Sequence, residues 1–490
     1  MRRSPARGSR QPVTFGKPAA EPTASPPAPV TEQSVLQTWR ELAGIAWPIM
    51  LSGLVTLVIS SNDSVLLAHA SPRVLASVIA ASSIHAIAAM SVSGLVSAAQ
   101  ILISRATGAG RRDHAARASE AALWLGLWAG TAAAVLVTAI GPLVLAVLSG
   151  PAVDAGFARA YLFITVLALP FTGLTGAMRA RVSGLGATRG LLVASITAAA
   201  VDVAASLILN ALIGPFGVAV GTVLGTASGA AVFAVLIARS RRPAGAGLFV
   251  PAPRLRSLLI AHPAQVRHLL GLGWPEAIFF AASAGSGLVV TFLLAPFSPT
   301  ALSASRFLEI AASMVVFTIL VSISTASLTL LGRAAGAEAP DQWAMVWRRT
   351  AAFTLTIAAL ITVTGPLILP PLLRVIAGEE IAAAAQTVVW LAFAQTLFMA
   401  LQVALVAGLR SLKDTRGPML AGLIAEYVVF LPLGWYLTRH LELELLGVFL
   451  THIAYWLAAL AVCSSRLRPA FRRWQAELTA GTPPPLSKGP

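Results

Sequence analysis

Apolar stretches of membrane length alternate with short Gly, Pro and Arg punctuation along almost the whole chain. The first, residues 41–68, is a single run of about 28 residues, and a helix needs roughly 20 mostly apolar residues to cross a hydrocarbon core. Further stretches lie near 75–104, 118–148, 157–178, 190–213 and 216–238. After a break, six more follow near 268–296, 301–331, 349–373, 381–408, 418–438 and 444–465. The pattern predicts an all-α membrane protein with twelve transmembrane helices. The break, residues 239–267, is basic and rich in Pro and Gly, and reads as a cytoplasmic linker between two halves of six helices.

Composition agrees with the pattern. Of 490 residues, 57% are hydrophobic and 11% are charged, against about 25% charged in soluble domains. The net charge of +16 would fit a nucleic-acid partner, but its distribution points elsewhere. Thirty of the 35 Lys and Arg fall in the two tails and in the connectors after spans two, four, six, eight and ten. The other side of the membrane holds only Arg73, Arg159, Arg306, Arg374 and Arg439. Short cytoplasmic loops carry the Lys/Arg excess, so both termini are expected to be cytoplasmic, in a multi-pass protein of the inner (plasma) membrane. The basic residues then anchor topology, and no nucleic acid is expected. Residues 1–31, rich in Pro, Ala and Arg, lack the apolar core of a secretory signal and look disordered; residues 1–40 read as a disordered cytoplasmic tail, with a second tail at 466–490. One cysteine, Cys463, allows no disulfide framework, and His85 and His452 lack ligand spacing. No metal and no cofactor are expected.

The halves repeat. Trp47-Pro48 returns as Trp274-Pro275, ISRATGAG with Gly108 returns as LGRAAGAE with Gly336, and GLGATRG (184–190) returns as SLKDTRG (411–417), all at offsets of 227 or 228. Six spans per half is an even number, so the halves enter from the same side as parallel repeats. An N-lobe (41–238) and a C-lobe (268–465) around a central cleft follow.

Acids inside spans are the candidate chemistry, because a charge at mid-membrane costs about 2.5–3.5 kcal/mol and normally faces a bundle interior or a wet path. Ser52, Thr56, Ser60 and Asp63 recur at steps of four, four and three, on one helical face. Asp202 shares a stripe with Ser206 and Asn210, so spans one and five each carry a polar face. Asp63 and Asp202 are the expected coupling site, with a purely structural acid as the alternative reading of Asp202. Glu309, flanked by Ser305 and Ser313, and Glu426, followed by Tyr427, are secondary candidates for coupling or substrate contact, as are Ser206 and Asn210. Glu276 directly follows Pro275 and reads as an acid suited to a helix amino terminus. Pro48, Pro170, Pro275 and Pro432 mark expected kinks.

WP early in span one, Asp63 fifteen residues on, AQILISRATGAG ending span two, and the paired GLGATRG and LRSLKDTRGPM together resemble the multidrug and toxic compound extrusion (MATE) transporters. The resemblance covers about 41–465. It implies a V-shaped pair of lobes that alternate access and export organic cations or drug-like small molecules in exchange for H⁺ or Na⁺, working as a monomer in the lipid bilayer. The sodium-coupled branch carries an acid deeper in span seven, where this chain has Ser283. A flippase for a lipid-linked precursor is the alternative of the same architecture. An anionic headgroup needs cations inside the cleft, whereas here the cations lie at the edges and the acids inside. Neither HExxH nor a paired-aspartate motif is present, so an enzyme is not expected.

Overall fold

The computed structural model describes residues 34–148, 153–239, 258, 262–294 and 298–480. Most of the expected amino-terminal tail and of the linker, and the last ten residues, lie outside these. The described residues form helices and connecting turns, with no strand among them. Twelve membrane-length segments follow in order. Spans one to six are Val35–Ala70, Arg73–Gly108, Arg112–Leu148, Ala155–Gly184, Arg189–Ile213 and Phe216–Arg239. Spans seven to twelve are Pro263–Leu294, Thr300–Gly336, Pro340–Ala377, Val389–Ser411, Arg416–Arg439 and Glu444–Thr479.

Local chemistry sets the helix starts. Ser34 and Gln37 form a reciprocal capping box ahead of span one. Ser71 accepts from the Val74 N–H just before Pro72, Asp154 accepts from the Phe157 N–H, and Ser298 accepts from the Ala301 N–H. Each satisfies an amide that the helix leaves open. Helices also run past the apolar stretches that announce them. Span nine begins at Pro340 and span twelve continues to Thr479, because a helix leaving the bilayer keeps its internal hydrogen bonds. There Trp474 is buried against Trp343 and Phe471. Span ten is preceded by a separate short helix, Glu379–Gln386.

The expected proline kinks divide into two kinds. Span four breaks into a tight three-residue turn, Val166–Ala168, just before Pro170, and span eleven widens into a π-helical turn, Ile424–Phe430, just before Pro432. Pro48 and Pro275 instead lie inside continuous helices. A second π-helical turn, Glu309–Val315, interrupts span eight.

Pairs of spans close on small residues. Gly217, Gly221, Gly225 and Gly229 form a seam along span six that lies directly on span five. A methyl group at Gly225 would sit 2.5 Å from Asp202 Cβ, and one at Gly221 would sit 2.8 Å from the Ser206 amide nitrogen. Close backbone approach of this kind drives helix association where lipid is as apolar as leucine.

Candidate functional site

Asp202 lies on span five, 3% exposed, and both of its carboxylate oxygens are buried without a hydrogen-bond partner among the described residues. Ser206, one turn on, is fully buried and its hydroxyl is likewise unpartnered. The glycine seam of span six is what brings backbone against these two residues. Burying an ionisable group without partners costs several kcal/mol, and proteins keep such groups where protonation or a ligand compensates them. Asp63 of span one is half-buried and close enough for its charge to act on Asp202, and the charges of both acids reach the buried phenol of Tyr161 on span four. The polar faces of spans one and five also meet at Ser52, whose hydroxyl shares a hydrogen bond with Ser195, seven residues before Asp202 on the same helical face. Asp63, Asp202, Ser206 and Tyr161 therefore form one polar cluster inside the first half. Asn210 is half-buried and its carbonyl accepts from Gly214 at the end of span five.

Glu309 and Glu426 belong to a second cluster, around span twelve. Each sits in a π-helical turn, a distortion that recurs at functional positions because it re-aims side chains. Glu309 pairs with Arg306 at 2.9 Å, and its charge reaches His452. Glu426 acts on Tyr455. Between them Gln395 donates to Ser313 and accepts from the Trp456 indole. His452 donates from Nδ1 to the Val448 carbonyl and packs against Phe430 and Phe449. Tyr427 is 43% exposed and its hydroxyl donates to the Ala282 carbonyl, tying span eleven to span seven.

Glu276 departs from the sequence expectation. Span seven begins at Pro263, so this acid is well inside the helix and not at its amino terminus. It is 2% exposed and paired through both carboxylate oxygens with Arg410 of span ten, a bidentate match of fork and carboxylate.

The halves meet at the basic end of the bundle through a pseudo-twofold contact. Gly108, closing span two, packs on the Arg333 backbone, and Gly336, closing span eight, packs on the Arg105 backbone. Arg105 donates to the Ser411 carbonyl at 2.8 Å and Arg333 to the Leu185 carbonyl at 3.0 Å, so each arginine caps a helix end in the opposite half. Arg333 also pairs with Glu41 at 3.0 Å. Gln100 to the Thr325 carbonyl, Thr329 to the Ser183 carbonyl and Arg349 to Thr38 add hydrogen bonds at the same end. This end of the cleft is closed. Sequence spacing shows the repeated glycines and arginines but not that they grip each other.

Comparison with known proteins agrees with this architecture. A family model described as MatE matches residues 48–208 and 275–436, two copies at the spacing of the internal repeat. A probable multidrug resistance protein NorM of Aromatoleum aromaticum is 26% identical over 404 residues, spanning 81% of this chain and 85% of its own length. The multidrug resistance protein PmpM of Pseudomonas aeruginosa is 25% identical over 409 residues, spanning 81% and 83%. Among solved structures, the eukaryotic MATE transporter AtDTX14 superposes with a TM-score of 0.74 at 16% identity, covering 91% of this chain and 99% of that one. The Vibrio cholerae MATE transporter VcmN in its bent form gives 0.74 at 18%, covering 89% and 98%. Together with a family match over well over half of its residues, the duplicated twelve-span bundle leads to one conclusion: the chain belongs to the MatE family.

Proposed function

We propose that this membrane transporter is a secondary active efflux system. It exports organic cations or drug-like small molecules by antiport with H⁺ or Na⁺, the two lobes (41–238 and 268–465) exposing the cleft alternately to each side of the plasma membrane. Relatives named for multidrug resistance support the class of passenger. The basic end of the bundle is the cytoplasmic one, by the thirty-to-five division of Lys and Arg. The closed contact there makes this conformation outward-facing.

One observation carries the coupling reading: the carboxylate of Asp202, buried and without a hydrogen-bond partner among the described residues, within electrostatic reach of Asp63. Two neighbouring acids share protons as a unit. Releasing or taking up H⁺ there changes the charge between spans one and five, and thereby the preferred packing of span one around Pro48. The test uses proteoliposomes loaded with a fluorescent organic cation, with the pH and sodium gradients imposed separately. A pH gradient is expected to drive transport in the parent protein and to fail in Asp202→Asn and Asp63→Asn. Full pH-driven transport by the double variant would remove these acids from the mechanism.

A further inference from the structure

At the basic end, beside the contact between the halves, lies a recess of about 130 Å³ lined by both halves. A single water needs roughly 10–15 Å³ of such space, so a group the size of phosphate has room. Arg105, Arg111 and His114 reach it from the first half, and His268 and Lys413 from the second; Glu338 is the acid in its wall.

The internal repeat makes this recess unusual. Lys413 has φ +65° and Glu338 has φ +57°, the left-handed region that glycine favours. Their repeat mates, at offsets of 227 and 228, are Gly186 and Gly110, with φ of +72° and +70°. The first half thus meets these two turns with glycine. The second half holds a charged side chain in the same strained conformation, which ordinarily costs on the order of 1–2 kcal/mol, and both charged chains point to the recess. Lys413 is also the one lysine between Lys17 and Lys488 in a chain that otherwise uses arginine.

Charge compensation differs between the halves in the same way. Arg333 has Glu41 at 3.0 Å. Arg105, its repeat mate, has no carboxylate at ion-pair distance among the described residues; Glu477 and Glu338 act on it only through space, and its own cation acts on Lys413. Burial, and then the Arg105 cation, push the Lys413 amine down to about 8 against a smaller opposing pull from Glu477. Three cations, Arg105, Arg111 and Lys413, face one lining acid, Glu338, in a recess with room to spare, and such an excess calls for an anion.

We infer that this recess binds a phosphate group, which bridges Arg105 and Arg111 of the first half to Lys413 of the second. The phosphate belongs either to a lipid headgroup at the membrane face or to a soluble ion, and the same donors serve both.

The position of Lys413 allows a direct test, because amine acylation read by mass spectrometry reports on it separately from Lys17 and Lys488. Full-length protein in detergent at pH 7.5 is labelled in sodium phosphate and in chloride of equal ionic strength. In parallel, protein in nanodiscs of phosphatidylcholine is compared with protein in nanodiscs that also contain phosphatidylglycerol. A bound anion keeps the amine protonated and covered, so Lys413 labelling is expected to slow at least about fivefold while Lys17 and Lys488 are unchanged. Protection by phosphate identifies the soluble ion, and protection only with phosphatidylglycerol identifies the lipid. Arg111 is exposed, so the Arg111→Gln/His114→Gln variant leaves the packing intact and is expected to lose the protection. Equal labelling in every condition, or protection that survives in that variant, overturns the inference. The readout needs no transported substrate, so its failure would leave the transport reading standing.

Discussion

Replacing Gly108 by alanine is a sharp probe of how the halves close, because one methyl group is added where two backbones touch. It would lie 2.5 Å from the Arg333 Cα and 2.6 Å from its carbonyl carbon, whereas carbon atoms pack comfortably at about 3.5–4.0 Å. No rotamer relieves a clash with backbone, so spans two and eight must separate by about 1–1.5 Å. The Arg105 bond to Ser411 and the Arg333 bond to Leu185, at 2.8 and 3.0 Å, then stretch beyond about 3.5 Å, where a hydrogen bond is lost. Bonds with a charged donor contribute roughly 1.5–3 kcal/mol each. Losing both disfavours the closed end by about 3–6 kcal/mol, a population shift of a hundredfold or more. Spin labels at Ala109 and Ala337, both exposed, measure the separation by pulsed electron resonance, and the sole native cysteine, Cys463, is buried. The parent should give one short distance and Gly108→Ala a dominant longer one, with each half still folded by thermal melting. An unchanged distance distribution in the alanine variant would refute the account of closure.

Other perturbations follow from the same geometry. Gly225→Val drives side-chain bulk into Asp202 and should uncouple transport from the pH gradient even with both acids present; efflux in proteoliposomes measures it, and normal coupling would count against the seam as support for the site. Glu276→Ala strands the partly buried Arg410 without its carboxylate and should destabilise the second half by about 2–4 kcal/mol, whereas Glu276→Leu with Arg410→Met should recover most of the melting temperature. At pH 7 Lys413→Gly should raise the melting temperature in phosphate-free detergent. The sign follows from linkage: the folded amine titrates near 8, below its ordinary 10.5, so the folded state resists the charged form below pH 8 and that penalty fades as pH rises through 8 to 10.5. The gain from the substitution should shrink between pH 7 and 9; a constant gain would leave only the relieved backbone.

The bundle and its duplication are legible in the sequence because both rest on long-range regularities: apolar length, alternation of basic connectors, and three local matches at one offset. The polar stripe of span five is equally legible, since the spacing of Asp202, Ser206 and Asn210 fixes a helical face. What lies opposite that face is not. The glycines at 217, 221, 225 and 229 are visible as a four-residue period, but periodicity in one helix does not name its neighbour. The π-helical turns at Glu309 and Glu426 add one residue to a helical turn without altering composition, so no pattern announces them. Glu276 is misread from sequence because a proline beside it suggests a helix start, while the helix begins a dozen residues earlier at a polar stretch that hydropathy discounts.

The acceptors at the closed end are main-chain carbonyls, those of Ser411 and Leu185. Every residue type carries that oxygen, so no single substitution at 185 or 411 can delete it. Genetic vulnerability of the contact is therefore one-sided. Codons 105 and 333 bear it on the donor side, and codons 108 and 336 bear it through the room they leave. A library of random variants selected for retained transport should tolerate substitution at 185 far better than at 105, 108, 333 or 336, whereas 411 stays constrained for a separate reason, its buried hydroxyl accepting from the Trp343 indole.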